Sequence, residues 1–104
     1  MANSVTAQAT ACPNTKIFIS GYSQGAQVAH LAAGQLSADV QKRVNGAVVF
    51  GDPLNGTAFS GSIPSKTFCA SGDNICEGGF QVRFAHFSYG ANAGEAAKFV
   101  ASLL

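Results

Sequence analysis

Apolar residues along the chain fall into short strand-length runs and longer helical faces. Ile17-Phe18-Ile19, between Lys16 and Ser20-Gly21-Tyr22, predicts a first strand at about 16–22. From Ser23 to Leu36, Ala26, Ala29, Leu31, Ala32, Ala33 and Leu36 cover more than one helical face. So much alanine with so little charge predicts a helix buried against a sheet. Ser37 is placed to cap a short second helix through Lys42-Arg43, with Val40 and Val44 inward. The continuous run Gly46-Ala47-Val48-Val49-Phe50, ended by Gly51-Asp52-Pro53, has the pattern of a strand buried on both faces, which belongs in a parallel sheet. Residues 54–65 read as a loop and Lys66-Thr67-Phe68-Cys69-Ala70 as a third strand. Ala91 to Leu104 forms an amphipathic closing helix through Ala93, Ala96, Ala97, Val100, Leu103 and Leu104. Residues 1–15 are small, polar and aperiodic, and predict a loop or poorly ordered lead-in.

The order strand, helix, strand, strand, helix is an α/β arrangement with right-handed crossovers: a parallel sheet of about three strands in a three-layer sandwich. One domain over 16–104, preceded by the 1–15 segment, is the expected organisation. The first strand has nothing upstream to pair along its other edge, so sequence elements normally flanking it are expected to be absent. An exposed sheet edge of this kind invites self-association.

Gly21-Tyr22-Ser23-Gln24-Gly25 sits directly behind the first strand and ahead of the long helix. A G-x-S-x-G pattern alone proves little, but in this setting it has the layout of a nucleophile elbow: the glycines let strand and helix approach, and the serine hydroxyl stands at the top of the sheet. Ser23 then needs a base, and the base an acid. The chain has two histidines. His30 lies seven residues along the helix, about 10 Å down its axis, and is read as structural. His86 falls after every strand and before the last helix, the place of the base in α/β-hydrolase order. Three aspartates lie between Ser23 and His86. Asp39 is at the wrong end of a crossover, whereas Asp52 and Asp73 both follow strands. Asp73 is favoured because Cys69 and Cys76 bracket a turn-rich segment suited to a small disulfide-closed loop; Asp52 has the alternative job of bonding amides in its Asp-Pro turn. The backbone N–H of Gln24, at the helix start, supplies one oxyanion donor by position. Tyr22, Phe80, Val82 and Phe87, with Phe84, are expected to rim a substrate cleft, although core packing is an equal reading for two of Phe80, Val82, Phe84 and Phe87. This chemistry calls for no cofactor and no metal.

Composition narrows the partners. With 11% charged residues and a net charge of +1, nothing marks nucleic acid or an anionic membrane as the partner. No apolar run approaches the ~20 residues of a membrane span, so no stable membrane insertion is expected. The N-terminus lacks the basic and apolar regions of a signal peptide. The cysteines point the other way, to an oxidising compartment, with Cys12 left over as an unpaired or buried thiol.

Four segments together carry a resemblance. Cys12-Pro13-Asn14-Thr15-Lys16 leading into Gly21-Tyr22-Ser23-Gln24-Gly25, then Val48-Val49-Phe50-Gly51-Asp52-Pro53, then Cys69-Ala70-Ser71-Gly72-Asp73-Asn74-Ile75-Cys76, then His86-Phe87-Ser88-Tyr89-Gly90, resemble the C-terminal half of a cutinase over residues 12–104. The resemblance implies a secreted serine esterase with a lidless α/β-hydrolase sheet, acting on cutin or on short to medium acyl esters. It implies Ser23 as nucleophile, Asp73 as acid and His86 as base, with a bridge from Cys69 to Cys76 and Asp52 outside the triad. The family's N-terminal portion, with its signal peptide, first strands, second oxyanion donor and a cysteine for Cys12, has no counterpart in these residues. The expectation is therefore a truncated cutinase, either active or a non-catalytic remnant that is unstable or self-associating.

Overall fold

The structure, a computed structural model, describes residues 1–104. Three strands, β1 (Ile17–Tyr22), β2 (Val44–Phe50) and β3 (Ser65–Phe68), form one parallel sheet in the order β1-β2-β3. β1 and β3 are therefore the edge strands. Four α-helices cover it: α1 (Ala2–Ala11), α2 (Gln24–Gln35), the short α3 (Ala38–Gln41) and α4 (Ala93–Ser102). None is long and apolar enough to cross a membrane.

The central strand explains the layering. Alternate residues of β2 serve opposite faces. Ala47 and Val49 join Ile17 and Ile19 beneath α1 and α2, while Val48 joins Phe68 and Tyr89 on the α4 side. This is the α/β three-layer arrangement that the apolar runs predict. On α2 the buried positions are Ala26, Ala29, Ala32 and Ala33, followed by Leu36; Leu31, expected on the buried face, is 64% exposed. The helix thus buries one alanine stripe and leaves the other side in water. On α4 the packed face is Ala96, Phe99 and Val100, rather than the face that includes Ala93, Ala97 and Leu104. Ser37 caps α3 by accepting the Val40 amide at 3.3 Å.

Residues 2–11 are helical, which corrects the reading of 1–15 as a loop. Alanine supplies helix propensity, and Val5 and Ala9, four residues apart on one face, are both buried in the main core. Two apolar positions on one stripe are too weak a periodic signal to read in advance. A second device lies far away in sequence: the Arg43 guanidinium donates to the carbonyls of Ala9, Cys12 and Thr15 at 2.9, 3.0 and 3.1 Å, satisfying acceptors at and beyond the helix end.

Strand β1 and helix α2 meet backbone to backbone. A Cβ on Gly21 would lie 2.3 Å from the Gly25 carbonyl oxygen and 2.5 Å from the Ala26 nitrogen, whereas one on Gly25 would meet nothing within 4 Å. Only the first glycine of the G-x-S-x-G pattern is thus required for strand and helix to approach. Gly21→Ala is expected to destabilise the protein by about 1–3 kcal/mol or more through overpacking, and Gly25→Ala to be close to neutral. Denaturant unfolding of the two variants checks this; equal losses would contradict it.

Candidate active site

Ser23 follows β1 and precedes α2 with φ 58° and ψ −122°, a left-handed backbone uncommon for a residue with a side chain. The turn is held on both sides: the Ser23 amide donates to the Phe50 carbonyl at 3.0 Å, and the Ser23 carbonyl accepts the Ala26 amide at 3.0 Å. This geometry lifts the hydroxyl off the end of the sheet.

His86 lies in a 3-10 turn, Phe84–Phe87, and is buried. Its Nε2 is 2.9 Å from Ser23 Oγ, and its Nδ1 is 2.8 Å from Asp73 Oδ2. Two hydrogen bonds therefore link residues from the ends of β1 and β3 and from the segment before α4. Asp73 is fully buried in the loop closed by the Cys69–Cys76 disulfide, with its Oδ1 accepting the Ile75 amide at 3.0 Å. The end of β2 completes the enclosure. Gly51 has φ +57°, and a Cβ there would lie 2.9 Å from the His86 ring and 3.0 Å from Asp73 Oδ2. Glycine is needed at this position because the imidazole and the carboxylate occupy the space of a side chain.

The other two candidates, His30 and Asp52, bond to each other. His30 Nε2 is 2.6 Å from Asp52 Oδ2, and the His30 ring stacks on Phe59 with centroids 3.9 Å apart. Asp52 also accepts the Leu54 amide at 2.8 Å, the turn-forming role expected of it. This second His–Asp pair braces α2 against the loop after β2.

An open cleft of about 720 Å³ lies over Ser23, lined among others by Tyr22, Gln24, Pro53, Ile75, Phe80 and Val82. Gln24 is the first residue of α2, a position whose N–H has no partner within a helix. Phe80, Val82, Phe84 and Phe87 are all exposed, so none takes the core-packing alternative. Phe87 lies on a separate shallow surface with Tyr22 and His86. Tyr22 both faces the cleft and holds the histidine: its ring stacks on His86 at 4.9 Å between centroids, and its hydroxyl donates to the His86 carbonyl.

Tyr89 went unassigned as a site residue in the sequence, although it stands in the His86-Phe87-Ser88-Tyr89-Gly90 segment. Its buried hydroxyl donates to Asp73 Oδ2 at 2.5 Å and accepts the Ala70 amide at 2.9 Å. Burial pushes the Asp73 carboxyl upward, but donors from Tyr89, His86 and the Ile75 amide outweigh it and hold the group below its ordinary 3.8. Tyr89 is pushed up to about 12 by burial and by the adjoining Asp73 carboxylate.

The sequence model of the family described as Cutinase matches residues 1–104. The chain belongs to the cutinase family. Cutinase CUT1 of Coprinopsis cinerea is 54% identical over 104 residues, covering 98% of this chain and 52% of that protein. A cutinase of Monilinia fructicola is 48% identical over 102 residues, covering 96% of this chain and 51% of its own. Among solved structures, a Trichoderma reesei cutinase in complex with a phosphonate inhibitor superposes with a TM-score of 0.93 at 39% identity, covering 99% of this chain and 48% of that one. An acetylxylan esterase gives a TM-score of 0.82 at 25% identity, covering 98% of this chain and 66% of that one. The chain spans about half the length of the curated relatives it matches.

The two shifted groups give stability a defined pH dependence. Asp73 binds its proton less readily when folded, so its contribution is complete above 3.8 and is lost as pH falls through the lower folded value. Tyr89 holds its proton more tightly when folded, so its contribution is complete below 10.0 and is lost as pH rises towards about 12. Denaturant unfolding across pH is expected to show both declines. Asp73→Asn removes the first and Tyr89→Phe the second; an unaltered alkaline decline in Tyr89→Phe would contradict the assignment.

Proposed function

We propose that this chain carries the acyl-transfer machinery of a carboxylic ester hydrolase. The hydrogen-bonded series from Ser23 Oγ through His86 to Asp73 Oδ2 is the observation that carries the reading. His86 Nε2 takes the hydroxyl proton as Ser23 attacks the ester carbonyl, and Asp73 holds the ring and stabilises the imidazolium. The Gln24 amide, at the start of α2, donates to the oxyanion. His86 then protonates the leaving alcohol, an acyl-Ser23 ester remains, and water activated by the same histidine releases the acid. Acyl chains of cutin or of short to medium esters lie along Phe80 and Val82 at the cleft, with Tyr22 at its edge. The Cys69–Cys76 disulfide supports an extracellular setting for this chemistry.

The family and the neighbour bound to a phosphonate support this reading, since a tetrahedral phosphonate has the shape of an acyl-transfer intermediate. Hydrolysis of p-nitrophenyl butyrate, and labelling of Ser23 by an alkyl phosphonate, are the expected results. Ser23→Ala should lower turnover by on the order of 10⁶ and abolish labelling. Equal turnover by variant and parent would overturn the proposal.

A second reading is favoured by one observation: the outer edge of β1 is unpaired, and an apolar groove of about 380 Å³ runs beside it between Phe18, Val48 and Phe50 of the sheet and Val100 and Leu104. In this reading the 104-residue chain is a non-catalytic portion of a cutinase that self-associates along the edge. Light scattering during chromatography distinguishes the two: a monomer that turns over ester excludes the second reading, and an inactive oligomer supports it.

A further inference from the structure

We infer that Tyr89 is a positioning residue for the His86–Asp73 pair, tuning the basicity of His86 through the carboxylate oxygen that the two side chains share. The inference rests on the acyl-transfer reading of Ser23, His86 and Asp73. Asp73 Oδ2 receives both the His86 ring at 2.8 Å and the Tyr89 hydroxyl at 2.5 Å, while Oδ1 takes the Ile75 amide. The carboxylate is thus fixed in one rotamer by three donors.

Burial alone requires only that a tyrosine hydroxyl find a partner. Tyr89 already has one, because its oxygen accepts the Ala70 amide at 2.9 Å, and its proton is directed to the charged oxygen rather than to a carbonyl. The ring is anchored independently, against Val48 and Phe68 and edge-on to Phe50 at 5.9 Å. It also meets Tyr22 at 6.1 Å and His86 at 6.4 Å, so the phenol approaches from a rigid wall. Tyr89 lies three residues after His86, and the consecutive 3-10 turns Phe84–Phe87 and Tyr89–Asn92 deliver both side chains to one oxygen.

A donor shared with His86 draws charge from Oδ2, and less charge there means weaker stabilisation of the imidazolium. Removing the phenol proton leaves the carboxylate more basic, so His86 holds its proton more tightly. The titratable side chains facing His86 are Asp73, Tyr89 and Tyr22. Arg83 is turned onto Gln81 at 2.9 Å, and Asp52 is engaged by His30.

The test is a histidine NMR titration of the resting protein, in which His30 serves as the internal control. Tyr89→Phe is expected to raise the His86 midpoint and leave that of His30 in place. Site-specific fluorotyrosine at position 89, a stronger donor that keeps the Ala70 contact, is expected to lower it. In turnover of p-nitrophenyl butyrate, Tyr89→Phe should reduce kcat about tenfold with KM unchanged, and the acid limb of kcat/KM should move to higher pH. An unmoved His86 midpoint in either folded variant overturns the inference and leaves the ester-hydrolase reading intact. Should Tyr89→Phe fail to fold, the fluorotyrosine protein decides alone. Conversely, undiminished turnover by Ser23→Ala alongside a shifted His86 midpoint would sink the ester-hydrolase reading while preserving the tuning of His86 by Tyr89.

Discussion

Strand β1 and helix α2 meet with no room for a side chain at Gly21, and most of the structure follows from that contact. A turn tight enough to bring the Gly25 carbonyl within 2.3 Å of a Cβ on Gly21 forces Ser23 into positive φ. The strain is sustained because the flanking backbone is bonded to β2 on one side and to the helix on the other. The same close approach selects small residues further along α2, where Ala26, Ala29 and Ala33 lie against the sheet with no exposed surface. An alanine stripe costs little side-chain entropy on burial, so a thin helix–sheet interface can still be favourable. Helix and elbow are two consequences of one distance.

Two His–Asp pairs have the same chemistry and different situations. Asp52, Asp73 and His86 are buried and His30 is partly buried, yet only His86 has its second ring nitrogen within hydrogen-bond distance of a hydroxyl, that of Ser23. His30 lies two turns down α2, and its ring is covered by Phe59. The two pairs meet at the end of β2. Gly51 gives up its side chain so that His86 and Asp73 fit against the strand end, and the next residue, Asp52, is held by His30 and by the Leu54 amide. The His30–Asp52 pair therefore stiffens the backbone on which the other pair rests. A buried pair of this kind costs desolvation, and its value lies in geometry more than in net stability.

What could be read from the sequence was what local pattern determines. The strand runs, the alanine-rich helix, the cap at Ser37 and the composition of the Cys69–Cys76 loop are encoded within a few residues of where they act. Chain order places Ser23 and His86 at the carboxyl end of the sheet and leaves Asp52 and Asp73 both eligible, with the cysteine-bracketed loop favouring Asp73. Helix α1 was missed because its signal is a single i, i+4 pair, and its real support, Arg43, lies more than thirty residues from Ala9 and comes from another element. The roles of Gly51 and Tyr89 escaped for a related reason. Glycine after a strand reads as a turn, and a tyrosine in a loop reads as surface or packing. Only the folded chain reveals that one is absent volume for an imidazole and the other a donor to its carboxylate. Phe80 and Phe84 were legible only as rim or core, since apolar residues near a site fit both equally well until the backbone is placed, and their exposure selects the rim side of that choice.

The placement of the site relative to the sheet separates its geometry from the sheet's free edge. Ser23, Gly51 and Asp73 follow the carboxyl ends of β1, β2 and β3, and the three strands are paired to one another within these residues. The unpaired outer edge of β1 runs along the side of the sheet and bears none of the hydrogen bonds among Ser23, His86, Asp73 and Tyr89. Strand pairing, the disulfide-closed loop and the Tyr89 wall thus fix the relative positions of these groups from the β2 side. Apolar surface beside the β1 edge bears instead on association, because an unpaired strand edge next to apolar side chains offers both backbone and hydrophobic contacts to a partner. A local constellation held by short-range constraints can keep its geometry while the sheet around it remains open to a further partner. The geometry that joins Ser23, His86 and Asp73 and the state of the β1 edge are consequently separate physical variables in this chain.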